Sequence, residues 1–324
     1  MSGSSDANPS RPVSVVMPCL DDRELLREHL PPLLAECARR GLGDEVLVVD
    51  DTGRDALSAW LAEHFPQVRC VAREVNGGFA RALLDGAQRA RHELLFAMNP
   101  DILVHPGFLE PLIAQLAEDE VHSVVPKILL RGQPDEIESL VEIDHRRDLA
   151  YVRQRGLEGE AARFDGAARD VNYAIGGAML VRRSEFVAAG GFDPLYEPFY
   201  YEDVDLGFAA WRAGRRVVYE PASVVEHHHR GTIAKHVDER LVVAVIERNR
   251  LLFQWRFLDT PESVERHLSG LYRAILDAHL RDERQELIWI ALALEQLEAL
   301  RESRARLGPA ARTYDEVCER SRPS

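Results

Sequence analysis

Short apolar runs alternate with amphipathic stretches over the first hundred residues. Residues 13–17 (VSVVM) read as a buried strand closed by Pro18, and residues 45–49 (EVLVV) as a second that ends in Asp50-Asp51. Between them, Leu25, Leu26, His29, Leu30, Leu33 and Leu34 recur at helical spacing within 22–40, where Pro31 and Pro32 predict a kink. A helix over 55–64 and a strand over 68–72 (VRCVA) follow. Asn76-Gly77-Gly78 then opens another helix, and residues 93–98 (ELLFAM) close the series. Strands alternating with helices predict an α/β fold built on a parallel sheet with right-handed crossovers.

The pattern changes downstream. Residues 130–170 are charged and weakly periodic, which predicts an irregular excursion with short strands covering a cleft. Residues 173–183 (YAIGGAMLVRR) return to strand character around Gly176-Gly177. A short helix over 184–189, a longer one over 202–213 stopped by Gly214, and a strand over 216–221 come next. Beyond His227 the chain turns helical, with helices expected over 237–256, 262–281 and 284–306. In the last, Leu287, Ile290, Ala291, Leu294 and Leu297 predict one apolar face for a neighbouring helix or a second subunit.

In parallel sheets ligands sit outside the carboxyl ends of the strands. Asp50, Asp51 and Asp101 each follow a predicted strand, so all three carboxylates are expected on one rim. Taken alone, Asn99-Pro100-Asp101 is a turn signal, and Asp50-Asp51 reads equally well as an Asx-type turn. As ionised acceptors, these aspartates also suit a base N–H or a ribose hydroxyl. A single aspartate is chemically sufficient to recruit Mg²⁺ or Mn²⁺ with a diphosphate, since these ions take oxygen ligands and few carboxylates.

Two further clusters carry chemistry. Glu202 and Asp203 open the 202–213 helix, where the helix dipole alone would favour acids. The preceding Phe199, Tyr200 and Tyr201 would also desolvate them, as a general base requires. His227, His228 and His229 cannot all chelate one ion from a strand, because successive side chains point to opposite faces.

Composition narrows the function classes. The chain has 324 residues, enough for one large α/β domain with an appendage, and 46% of them are apolar. A formal net charge of −14 argues against nucleic acid as a partner. Cys19, Cys37, Cys70 and Cys318 show no metal-like spacing and suit a reduced, cytoplasmic protein. The polar start has no signal-peptide pattern, and the apolar run at 287–294 (LIWIALAL) is far below the ~20 residues of a spanning helix.

In their order and spacing these clusters resemble the inverting family 2 glycosyltransferases of the GT-A fold, rhamnosyltransferase-like members especially. The resemblance runs from about residue 13 to residue 257. It rests on VSVVMP, VLVVDD, NGGFARALLDGAQRARHELLFAMNPD, and the block from Gly176 through Gly-Gly-Phe-Asp and Glu-Asp-Val-Asp-Leu to the histidines. It implies a Rossmann-like, mostly parallel central sheet flanked by helices, with a C-terminal helical extension. The expected division is a tail at 1–11, a glycosyltransferase domain at 12–257, the helical extension at 258–310 and a tail at 311–324. Within the domain, a nucleotide-sugar half covers about 12–105 and an acceptor half about 106–257.

Carried over residue by residue, the resemblance implies donor contacts from Pro18, Asp50, Asp51, Asn76, Gly78, Asn99 and Asp101. Asp101, with His227, would hold the divalent metal. Asp203 would be the general base with Glu202 beside it, while Gly176, Gly177, Asp205 and Arg212 would support the acceptor side. The implied partners are a nucleotide-sugar donor (dTDP-rhamnose or a UDP-sugar) and a glycan or lipid-linked acceptor. A peripheral contact with the inner membrane and a homodimer through the C-terminal helices are further expectations. The departures from the family pattern are Cys19-Leu20-Asp21-Asp22, Thr52-Gly53 and Leu83-Leu84-Asp85-Gly86, and they bear on nucleotide and sugar identity. Two rival readings are a non-catalytic nucleotide-sugar scaffold and a nucleotidyltransferase. The second would carry a glycine-rich, basic loop that VVMPCLDDRE lacks.

Overall fold

The computed structural model describes residues 10–154, 166–228, 237–283 and 287–320. Its first half is the expected alternation: β1 (Val13–Cys19), α1 (Arg23–Arg40), β2 (Glu45–Asp50), α2 (Ser58–His64), β3 (Arg69–Ala72), α3 (Gly78–Arg89) and β4 (Leu94–Met98). β1 pairs parallel with both β2 and β4, and β2 pairs parallel with β3. Every residue of β1, β2 and β4 is buried, as strands covered by helices on both faces must be. α3 lies close on this sheet because Gly86 has no side chain; a Cβ there would sit 2.3 Å from Val16 Cγ1. α1 continues through Pro31 and Pro32 rather than ending there, with Leu25, Leu26, Leu30 and Leu33 buried against the sheet.

After β4 come β5 (Ile102–Val104), α4 (Leu109–Leu116), β6 (Val121–Leu130) and β7 (Gln133–Ile137). The hairpin β8 (Val141–Arg146) and β9 (Leu149–Gln154) forms a separate two-stranded sheet. It is followed by β10 (Arg169–Asp170), β11 (Ala178–Arg182), α5 (Arg183–Ala188), a 3₁₀ turn at Pro194–Tyr196, α6 (Glu202–Arg212) and β12 (Arg216–His227). Among the described residues the main sheet has ten strands in the order β10-β12-β6-β11-β4-β1-β2-β3, with β5 on β12 and β7 on β6. The parallel arrangement ends at β4. β11 runs antiparallel to both β4 and β6, so the second half of the sheet is mixed. This reversal brings the residues before β11 to the same rim as the end of β4.

The C-terminal part is helical: α7 (Glu239–Phe257), α8 (Pro261–Leu280), α9 (Ile288–Leu294), α10 (Leu297–Ala305) and α11 (Tyr314–Arg320). Three expectations change here. The single helix expected over 284–306 is two, α9 and α10, and the second ties back through Ser303 Oγ, which donates to Asp193 Oδ2 at 2.8 Å. Its expected apolar face is rotated. Trp289, Ala293 and Leu300 are buried, while Leu294 is 51% exposed. Finally, residues 314–320 are not a tail, since Tyr314 and Val317 of α11 are buried in the main core beside α6. Among the described residues no helix is long and apolar enough to cross a membrane.

Candidate functional site

The turn between β4 and β5 carries Asn99, Pro100 and Asp101. It is fixed to the residues before β11: Asn99 N donates to Gly177 O at 2.8 Å. Gly177 is required by this contact, because a Cβ there would lie 2.5 Å from Asn99 Nδ2. β5 then pairs antiparallel with the end of β12, setting Ile102 opposite His227. As a result, Asp101 Oδ1 and His227 Nε2 stand 3.3 Å apart, both largely buried.

The other ring nitrogen of His227 donates to Glu138 Oε2 at 2.6 Å. Burial works against a charge on this imidazole, but its bonds to Asp101 and Glu138 outweigh burial and push its pKa up to about 10. A divalent cation bound here would take the place of the Nε2 proton, with the Asp101 carboxylate and the imidazole nitrogen as ligands and the second nitrogen oriented by Glu138. Strand alternation turns His228 away from it. Its Nδ1 lies 2.9 Å from His29 Nε2 and 2.8 Å from Arg131 Nη1. His229 falls outside the described residues.

The Asp50-Asp51 strand end is used by the chain itself. Asp50 is fully buried, with Oδ1 accepting from Thr52 N at 3.0 Å and Oδ2 from Leu57 N at 2.8 Å. Both its oxygens thereby shape the loop after β2. Asp51 accepts from Gly77 N at 3.0 Å, Gly78 N at 2.8 Å and the Arg73 guanidinium, which also pairs with Asp85 at 2.6 Å. Asn76 Nδ2 donates to Asp51 O at 2.9 Å, and Pro18 is buried within β1 beside Val49. Asp51 thus gathers the β2 loop and the start of α3 into one wall of the rim.

Glu202 and Asp203 begin α6. Asp203 Oδ2 accepts from Gly176 N at 3.0 Å and Oδ1 from Val204 N at 2.8 Å. Desolvation raises the pKa of Asp203 against these two bonds. Desolvation and the neighbouring Asp203 charge push Glu202 up to about 8, and Glu202 Oε2 is buried with no hydrogen-bond partner among the described residues. Burial and mutual repulsion thus both disfavour full ionisation of the two carboxyl groups. The residues before them are strained: Tyr200 and Tyr201 both take left-handed backbone conformations, φ +68° and +79°, in which bulky residues are uncommon.

Asp205 supports this end of α6 from within. It pairs with the buried Arg256 of α7 and accepts from Tyr196 Oη at 2.6 Å. Arg212 lies at the other end of α6, on a helix that rises 1.5 Å per residue; it pairs with Asp259 at 3.3 Å, and its carbonyl accepts from Ala311 N at 2.8 Å. Sequence reasoning passed over Glu138 and Arg73. Glu138 lies 89 residues from His227 in a stretch without periodicity, and no motif marks it. Arg73 follows β3 directly, as Asp51 follows β2, and that shared position was the available signal.

Comparison with known proteins bears on the family and the fold. The sequence model of Glycosyl transferase family 2 matches residues 14–186, more than half of the chain. Polypeptide N-acetylgalactosaminyltransferase 6 of Bos taurus is 29% identical over 221 residues, which cover 64% of this chain and 35% of that protein. The N-acetylglucosaminyl-diphospho-decaprenol L-rhamnosyltransferase of Mycobacterium tuberculosis is 27% identical over 211 residues, covering 56% and 66% respectively. Among solved structures, GalNAc-T7 with UDP, GalNAc and Mn²⁺ superposes with a TM-score of 0.64 at 18% identity. That superposition covers 95% of this chain and 56% of GalNAc-T7. A mannosyltransferase from Pyrobaculum calidifontis in complex with GDP-Man and Mn²⁺ superposes with a TM-score of 0.53 at 17% identity, covering 93% and 86%. The fold is that of the GT-A glycosyltransferases. The chain belongs to glycosyl transferase family 2, and it spans little more than a third of the N-acetylgalactosaminyltransferase it matches.

Proposed function

We propose that the chain is a metal-dependent, inverting glycosyltransferase that moves a sugar from a nucleotide sugar to a hydroxyl of a glycan or lipid-linked acceptor. The observation that carries this reading is the Gly176-Gly177 bridge, which binds the Asp101 turn through Asn99 and the Asp203 carboxylate through a backbone N–H. A cation-holding pair and a candidate base are thereby fixed to one dipeptide.

Asp101 and His227 would hold Mg²⁺ or Mn²⁺, which supplies neutralisation of the departing diphosphate. Pro18, Asp51, Asn76, Gly78 and Asn99 line the donor wall. Asp203 takes the acceptor proton, and Glu202 beside it raises the affinity of the pair for that proton. A single positioned base and no separate nucleophile suit one displacement with inversion. The mycobacterial relative, by its name an L-rhamnosyltransferase acting on a diphospho-decaprenol, favours rhamnose transfer to a lipid-linked acceptor; the family resemblance puts dTDP-rhamnose first as donor and UDP-sugars next. On this reading the chain works in the cytoplasm, at the membrane face where such acceptors lie, in cell-surface polysaccharide synthesis.

A thermal-shift panel of nucleotide sugars with Mn²⁺ identifies the donor. NMR of the product's anomeric proton, against the donor's configuration, then tests inversion. Retained configuration contradicts the single-displacement reading, and no donor-dependent shift contradicts nucleotide-sugar binding.

A further inference from the structure

The turn that aims the carboxylate pair is held from outside the stretch that the family model matches. Asn249 of α7 is fully buried. Its Nδ2 lies 2.8 Å from Tyr196 O, 3.0 Å from Phe199 O and 2.8 Å from Tyr200 O, so two amide protons serve three carbonyls of the Tyr196–Tyr201 turn. Its Oδ1 accepts from Arg248 Nε at 2.9 Å and Arg248 Nη2 at 2.7 Å, and the same Nη2 donates to Glu197 O at 2.6 Å. One turn of α7 therefore fastens the carbonyls of residues 196, 197, 199 and 200. They run up to and include Tyr200, the first of the two tyrosines in left-handed conformation; Tyr201 and Glu202 come next. The backbone has no sequence reason to adopt that shape, since neither Tyr200 nor Tyr201 is a glycine. Tyr201 is also buried against Phe253 of α7, with ring centroids 5.9 Å apart. Glu202 Oε2 is buried with no hydrogen-bond partner among the described residues, so the placement of this carboxyl group depends on the backbone that delivers it.

We infer that Asn249, oriented by Arg248, is a positioning residue for the Glu202–Asp203 pair: it holds the strained turn whose release would move both carboxylates off the acceptor hydroxyl. This rests on the reading of Asp203 as base. Asn249 touches neither the Asp101–His227 pair nor the donor wall, so its loss should act on turnover and not on donor binding.

The test compares Asn249→Ser and Asn249→Asp with wild type, using dTDP-rhamnose and UDP-sugars with Mn²⁺. Asn249→Asp keeps an acceptor for Arg248 but puts a carboxylate against three carbonyls; Asn249→Ser keeps one donor. The expected result is a fall in kcat of at least about tenfold in Asn249→Asp and a smaller fall in Asn249→Ser. The donor KM and the Mn²⁺-dependent donor affinity by calorimetry should stay within about twofold of wild type. Replacing Tyr200 by glycine, which adopts positive φ without strain, should return part of the kcat lost in Asn249→Ser. Unchanged kcat in the folded variants overturns the inference, as does a parallel loss of donor affinity. If neither variant folds, Arg248→Met carries the test, with the same split between kcat and KM expected. Asp203→Asn is run alongside: turnover surviving in it refutes the base reading itself. Turnover lost there but intact in Asn249→Asp refutes the positioning role alone.

Discussion

Gly176 donates its backbone N–H to Asp203 Oδ2 at 3.0 Å, so the carboxylate at the start of α6 is held by the residues that precede β11. An asparagine at 203 can accept the same bond with its side-chain oxygen, but it has no basicity to offer an acceptor hydroxyl. Asp203→Asn is therefore expected to keep its fold and its nucleotide affinity while turnover falls by about 10²–10⁴-fold. Initial rates set beside calorimetric donor binding check this.

Glu202 gives the pair its pH dependence. Its folded pKa of about 8 stands above the ordinary 4.5. Between those values the folded state keeps a proton that the unfolded state has lost, so stability falls as pH rises through the window and levels off above it. Glu202→Gln should flatten that slope and, by removing the neighbouring negative charge, move the acid limb of turnover to lower pH. Melting temperatures and rates from about pH 5 to about pH 9 measure both. A variant whose stability curve parallels wild type across this range counts against the shift.

The adjacent histidines His227, which ends β12, and His228, which follows it, should behave differently. Asp101→Ala and His227→Ala remove groups of the 3.3 Å pair and are expected to abolish the Mn²⁺ dependence of donor binding. Glu138→Gln weakens the orientation of His227, with an expected loss of about 10–100-fold in metal affinity. His228→Ala, which loses the contacts to His29, Arg131 and Glu28, should leave metal dependence in place. Titration of Mn²⁺ into each variant separates these outcomes.

Gly177 tests the bridge from its other side. A Cβ 2.5 Å from Asn99 Nδ2 and 2.7 Å from Asn99 Cγ forces that side chain to shift. Gly177→Ala is expected to lower stability by about 1–3 kcal/mol, as overpacking does, and to weaken Mn²⁺-dependent donor binding as the Asp101 turn moves. Chemical denaturation and calorimetry check the two effects.

Much of this arrangement was legible in the residues because punctuation marks strand ends. The apolar runs before Asp51 and Asp101 located the rim, and Gly214, at φ +89°, ended α6 close to where the pattern put it. A sequence shows that the Asp50 carboxylate follows a strand, but not that it also accepts from the Thr52 and Leu57 amides. Arg212 shares a helix with Asp203, and nothing local in the sequence shows that it pairs with Asp259 at the far end of that helix. Glu138 and Asn249 act through contacts 89 and about 50 residues distant in the chain, and such partners leave no local pattern. The face of the last helices was misplaced for a related reason. Leu294 and Leu297 are as apolar as the buried Leu300, and only tertiary packing decides between them.

The most direct measurement is nucleoside-diphosphate release from a panel of nucleotide sugars with Mn²⁺, by wild type and by Asp203→Asn in parallel. At least one donor should be turned over by wild type, with the rate lost in Asp203→Asn while that variant still binds the donor. Release from no donor, or equal release by both chains, would contradict catalysis at the Asp101–Asp203 rim.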